Sequence, residues 1–256
     1  MPCTSFATNP HGINVVFDEK THKYISEING KTIEYTSGTT FVHSFFPEFD
    51  VEKIAPLSAK KEGCTIEEIK QKWKEAGNIA VTFGTRVHEV CEDVLLGRKL
   101  RNVPKDLKEE LIFKSATEYS NKLKLRLDIL GVEKIVFNED LRIAGTIDLF
   151  AKSKKDGTYW ILDHKTNKSI DTANAYNEKA FFPIDKLDNC NYNQYALQLN
   201  LYEFLLKWTG YVDMDASFRR AIIHYSTAGS RFIELPDFQN YIKEMMIVFL
   251  SKVNNK

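Results

Sequence analysis

The sequence has no excess of charge of either sign: 35 lysines and arginines face 35 aspartates and glutamates in 256 residues. A protein that coats duplex nucleic acid electrostatically is usually basic, so this chain can meet nucleic acid only through a local basic channel. Cysteine is sparse. Cys3, Cys64, Cys91 and Cys190 are far apart and form no C-x-x-C pair, which argues against structural zinc or an iron–sulfur cluster and leaves free thiols in a reducing compartment as the simplest account. No apolar run reaches the length of a bilayer span. The N-terminus MPCTSFATNP lacks the regions of a secretory signal or a transit peptide. These absences predict a soluble cytoplasmic protein with no membrane partner.

What is present centres on Ile143 to Thr166, IAGTIDLFAKSKKDGTYWILDHKT. Residues 143–151 are apolar and β-branched around Asp148, Asp156-Gly157 marks a turn, and Thr158–Leu162 reads as a strand entering a core. Side chains alternate along a strand, so Asp163 and Lys165 share a face and His164 takes the other. Folding the hairpin about its turn brings Asp148 alongside Asp163. Two carboxylates and an ammonium at a sheet end suit Mg²⁺-dependent phosphodiester hydrolysis, the acids as hard oxygen ligands and the lysine acting on water. A D-x-K triplet also arises by chance in lysine-rich chains, and the hairpin alone does not decide.

Upstream, residues 13–36 predict an antiparallel arm, with Asn29-Gly30 as its hairpin turn. Thr65 and Glu68 form a capping box, and with Gly77 as a stop they predict a helix over 66–76. Lys60, Lys61, Lys70, Lys72 and Lys74 make this region basic, either as a solvated helix face or as a surface turned to nucleic acid. Residues 79–96 carry a helical apolar stripe through Val87, Val90, Cys91 and Val94. His88 and Glu92 are four apart and share a face, within reach of one ion or of each other. A basic amphipathic helix is expected over 104–130, stopped by Gly131, followed by a strand over 132–138.

Beyond the hairpin, residues 167–189 read as a long loop with Tyr176, Phe181 and Phe182. The 192–208 helix then places Gln194, Gln198 and Tyr202 at successive i+4 positions. A strand over 218–226, a shorter one over 232–235 and a closing helix over 237–250 complete the chain. The three aromatics of the loop and the lysines of 60–74 and 105–126 could form a passage for one nucleic-acid strand; the aromatics could equally be core residues beneath a loop.

In order, the chain shows G-T-x-x-H (Gly84, Thr85, His88), Glu92, G-x-x-D (Gly145, Asp148), D-x-K (Asp163, Lys165) and Q-x-x-x-Y (Gln198, Tyr202). This series resembles the PD-(D/E)XK nuclease superfamily, in the branch of the RecB nuclease, Cas4 and the mitochondrial genome-maintenance exonuclease, over residues 80–227. The resemblance implies an α/β, restriction-endonuclease-like core: a mixed central β-sheet flanked by helices, here with an N-terminal β-hairpin arm. One domain over 1–256 is expected, divided into an arm (1–44), a helical insertion (45–78), a catalytic core (79–235) and a C-terminal helix (236–256). His88, Asp148, Asp163 and the His164 backbone carbonyl are implied as ligands of one or two Mg²⁺ or Mn²⁺ ions. Lys165 is implied to support the nucleophilic water, and Glu92 to assist at the edge.

Gln198 and Tyr202 are implied to position DNA or the lysine, and Gln194, Thr85, Tyr176 and Phe182 join them as candidate DNA contacts. The cysteines of the cluster-bearing branches are missing, so no iron–sulfur cluster is expected, and a helicase portion with its phosphate-binding loop is missing too. The expected activity is that of a free-standing exonuclease on single-stranded DNA or DNA ends, of the kind phages encode for recombination, repair or genome processing in a host cytoplasm. A structure-specific endonuclease and a non-catalytic DNA-binding protein of the same fold are the alternatives.

Overall fold

A computed structural model describes residues 4–253. The fold is α/β, and among the described residues nine strands form one mixed sheet flanked by helices. The arm consists of β1 (Thr4–Thr8), β2 (Asn14–Asp18), β3 (Lys23–Ile28) and β4 (Lys31–Ser37). Asn29 and Gly30 both adopt positive φ, 52° and 73°, the two-residue turn whose twist matches that of the flanking strands. The arm is part of the main sheet, because β4 pairs in parallel with β6 (Ile143–Ser153).

The central strand β6 organises the remainder. Along one edge it carries β5 (Leu127–Asn138), and along the other β4 at Ile143–Ala144 and β7 (Tyr159–Lys165) at Leu149–Lys152. A gap therefore opens beside Gly145–Asp148, between β4 and β7. Tyr202 from α5 (Asn191–Trp208) packs over Gly145 there: a Cβ on Gly145 would lie 2.4 Å from the Tyr202 ring. Glycine at that position is a requirement of close approach. β8 (Phe218–Ser226) continues the sheet in parallel with β7, and β9 (Gly229–Leu235) ends it.

Two cores cover the two faces. On one, α1 (Gly38–His43), α5 and α6 (Gln239–Val253) pack Leu197, Leu201 and Ile242 against Ile147, Ile161 and Ile222. On the other, α3 (Ile66–Leu95) and α4 (Leu107–Arg126) pack Val87, Val90, Ile112 and Phe113 against Leu149, Leu162 and Ile223.

Two expectations are corrected. Gly77 does not stop a helix: α3 runs unbroken from its Thr65 capping box to Leu95, across the expected 78/79 boundary. Its two ends are anchored, by Ile69 against α2 (Val51–Glu62) and by Val87–Leu95 against the sheet, and an exposed mid-helix glycine costs only about 1 kcal/mol. Gly131 likewise ends nothing. The α4 helix gives way to β5 at Leu127, and Gly131 lies within the strand just past a register shift.

Candidate metal centre

The β6–β7 ladder runs from Lys152 opposite Tyr159 to Leu149 opposite Leu162. One step further, Asp148 and Asp163 come side by side and the strands separate. There the Asp148 carboxylate accepts the His164 backbone N–H at 2.8 Å, taking over from the ladder. Both aspartates are buried. From α3, the His88 ring approaches with Nδ1 3.4 Å from Asp148 Oδ2 and Nε2 2.8 Å from the His164 carbonyl. The carbonyl and carboxylate at the end of the hairpin thus converge on one imidazole.

Glu133 joins them, a residue that the motifs did not single out. Its carboxylate is 3.9 Å from His88 Nδ1, and ligand atoms of His88, Glu133 and Asp148 all lie within 4.8 Å of one another, an arrangement that could hold a metal ion. The strand register accounts for its place. In the β5–β6 hairpin Val132 pairs with Leu149 and Lys134 with Ile147, which places Glu133 across from Asp148. Glu133 adopts φ 48°, a left-handed conformation costing a non-glycine residue about 1–2 kcal/mol, and such strain gathers at functional sites.

The electrostatics show a site short of positive charge. Burial would lower the His88 pKa, but the Asp148 and Glu133 carboxylates outweigh it and push it up to about 9. Burial first, and then the charge of Asp148, raise the Asp163 carboxyl to about 6. At His88 the neighbouring carboxylate charge sets the direction of the shift, and at Asp163 burial does. Asp163 forms an ion pair with Lys165. Burial alone would lower the Lys165 pKa; the Asp163 and Asp148 carboxylates hold it far above the ordinary lysine value.

The Lys165 ammonium also lies over the ring of Tyr195, 4.8 Å from its centroid. The Tyr195 hydroxyl donates to Asn167 Oδ1 at 2.9 Å, and His224 meets the Asn167 carbonyl at 2.7 Å, so the chain leaving β7 is stapled from both sides. His164 turns its ring to the opposite face, where Nδ1 is 3.1 Å from the Tyr225 hydroxyl; burial keeps it neutral, its pKa well below that of free histidine.

The remaining candidates divide. Gln198 donates to the Tyr202 hydroxyl at 2.9 Å and lines a cleft of about 1280 Å³ that opens on Lys165. Tyr202 is buried against Gly145 and can reach a ligand only through Gln198. Gln194 also lines the cleft, and bonds Asn189 at 2.9 Å. Thr85 is exposed and returns its hydroxyl to the Val81 carbonyl at 3.1 Å. Glu92 is tied to Arg98 at 3.1 Å and Arg101 at 2.7 Å, apart from the group that gathers round His88.

Tyr176 and Phe182 are 87% and 75% exposed, and with Phe181 they are absent from the residues lining the cleft. They are therefore neither core residues nor part of its wall. The apolar wall comes instead from the bare middle of α3, where Ile79 and Val81 are 70% and 71% exposed and Phe83 follows. Lys108 and Lys168 add positive charge to the cleft, whereas Lys70 and Lys72 are spent in ion pairs with Glu52 and Glu62.

Among the described residues no cysteine cluster is found, and Cys64, Cys91 and Cys190 are free thiols; Cys3 lies outside them. No helix among the described residues is long and apolar enough to cross a membrane. No protein-family model matches this sequence, and no curated protein matches it.

Proposed function

We propose that the protein is a metal-dependent phosphodiester hydrolase acting on DNA, an exonuclease on single strands or DNA ends. The observation carrying this reading is the convergence of His88, Glu133 and Asp148 near the Asp163–Lys165 pair, whose Lys165 lines a cleft of about 1280 Å³. A donor set of carboxylates, a backbone carbonyl and one imidazole fits Mg²⁺ or Mn²⁺, the nitrogen favouring Mn²⁺. His88, Glu133, Asp148 and the His164 carbonyl would hold the ion, with Asp163 completing the set. When bound, such an ion polarises a phosphate oxygen and acidifies water.

The chain's own residues do the rest. Lys165 keeps its charge, so it orients water and offsets charge on the phosphate as a fixed donor, rather than serving as the base. Asp163 and Tyr195 hold its ammonium in place. The exposed Ile79 and Val81 add apolar surface to the cleft, and the partly buried Phe83 and Tyr195 that also line it supply rings for unpaired bases, where stacking on an aromatic ring is worth about 1–3 kcal/mol per base. Overall neutrality disfavours a broad duplex-binding face.

The test is digestion of a linear oligonucleotide, the same molecule circularised, and a blunt duplex, each with Mg²⁺, Mn²⁺ or EDTA. Metal-dependent loss of the linear strand with an intact circle is the expected result. Cutting of the circle would assign an endonuclease, and binding without cleavage would overturn the enzymatic reading.

A further inference from the structure

A second cavity, of about 850 Å³, lies at the opposite end of the sheet, and the proposed reaction makes no use of it. Lys108 in the cleft and Arg126 at this cavity mark the two ends of α4, about 27 Å apart at the helical rise per residue. The floor is apolar. Trp160 of β7 meets Phe232 of β9 edge-on, with ring centroids 5.7 Å apart, and Leu123, Leu127 and Leu162 surround them. Phe232 is 39% exposed, on the strand that ends the sheet.

The rim is cationic. Arg126, Lys154, Lys155 and Arg219 line the cavity, and Glu234 is the one acid among its lining residues. Arg219 is committed to Glu234 through two contacts of 2.6 Å and covers the Trp160 ring at 4.9 Å. Lys154 donates to the Lys124 carbonyl at 2.8 Å and has Asp128 at 3.9 Å. Arg126 and Lys155 are exposed, and among the described residues neither has an ion pair or a side-chain hydrogen bond. Two unspent cations beside an exposed aromatic floor attract an anion that carries an apolar group.

We propose that this cavity docks an acidic segment of a partner protein, seated by an aromatic or leucine side chain on the Trp160–Phe232 floor. Charge complementarity selects the acidic segment. Buried aromatic anchors within a polar rim are the usual energetic centre of such contacts. Arg219 covers the Trp160 ring and leaves Phe232 as the one exposed aromatic face, which suits one bulky side chain better than a run of stacked bases and favours protein over nucleic acid. The inference does not depend on the nuclease reading.

The experiment selects a random phage-displayed dodecapeptide library against the full chain in EDTA. The enriched peptides, fluorescein-labelled, and a labelled (dT)₁₂ are then titrated by anisotropy against wild type, Arg126→Glu/Lys155→Glu and Phe232→Ala. All of these substitutions are at exposed positions, and circular dichroism melts confirm folding. The expected peptides carry net negative charge with Phe, Trp or Leu, and bind about tenfold or more weakly to both variants, while (dT)₁₂ binds all three proteins alike. The proposal is overturned by no enrichment, by enriched peptides that are not acidic, by equal affinity for wild type and variants, or by variants that lose (dT)₁₂, which would mark a nucleic-acid surface.

Discussion

Two buried charge clusters in this molecule are built from similar residues and reach opposite balances. Under the α5 face, Glu203 is held between Arg220 and Lys207, with Asp237 3.7 Å from Arg220. Two acids meet two bases, and the formal charges cancel. At the end of the β6–β7 hairpin, Glu133, Asp148 and Asp163 meet one lysine, and even a protonated His88 leaves the group short of positive charge. The first cluster is complete as a structural network. The second keeps an excess of carboxylate and could take up a further cation, which the first could not.

The largest effect expected from this contrast falls on activity. Asp148→Asn and Asp163→Asn should each reduce cleavage by about 10³-fold or more, because an amide keeps the shape and loses the charge. Metal-free, the same variants should melt no lower than wild type, since each relieves an excess of negative charge. Lys165→Ala should also lose turnover yet bind Mn²⁺ within a few-fold of wild type by calorimetry; loss of metal binding would make Lys165 structural. The balanced cluster should behave in the reverse way. Glu203→Ala leaves the buried Arg220 with only the more distant, exposed Asp237 and should cost about 3–5 kcal/mol in denaturant unfolding, whether or not metal is present. A Glu203→Ala protein of wild-type stability would erase the contrast.

Smaller effects separate the two glutamates near His88. Glu133→Gln should weaken Mn²⁺ binding about 10–100-fold, whereas Glu92→Gln, already neutralised by Arg98 and Arg101, should change it little. The reverse result would put Glu92 at the ion.

These two residues also show how much of the site was legible beforehand. The register placing Asp148 beside Asp163 followed from the Asp-Gly turn and strand alternation, and the Asn-Gly turn and the Thr65 cap were local signals of the same kind. Glu133 was not legible by motif, because its role depends on the β5–β6 pairing, a relation visible only once Asn138 is set opposite Ile143. The glycines misled for a related reason. Gly77 and Gly131 look like stops in isolation, but tertiary anchoring at both ends of α3, and sheet pairing along β5, override so small a local penalty. The exposed aromatics of 167–189 were placed at the cleft by chain proximity to Lys165, and proximity along a chain does not fix where a long loop turns.

A subtler effect lies in the pH dependence of the metal-free protein. Asp163, with its pKa raised to about 6, contributes stability at low pH that is lost as pH rises from its unfolded value through 6. His88, raised to about 9, loses its contribution as pH rises from its unfolded value through 9. In EDTA the melting temperature should therefore fall across both windows, against a background set by the remaining groups. Asp163→Asn should remove the lower component and His88→Gln the upper. A pH profile unchanged by either substitution would mean that neither proton is held by the charge imbalance.

The measurement that bears most directly on the central claim is calorimetric titration of Mn²⁺ into metal-free protein near neutral pH, repeated in two buffers of different ionisation enthalpy. A cation entering the acidic centre must displace the proton that His88 holds in its place. Saturable binding with release of about one proton per ion is predicted, abolished in Asp148→Asn. No saturable binding in wild type, or binding with no proton released and no loss in Asp148→Asn, would contradict it.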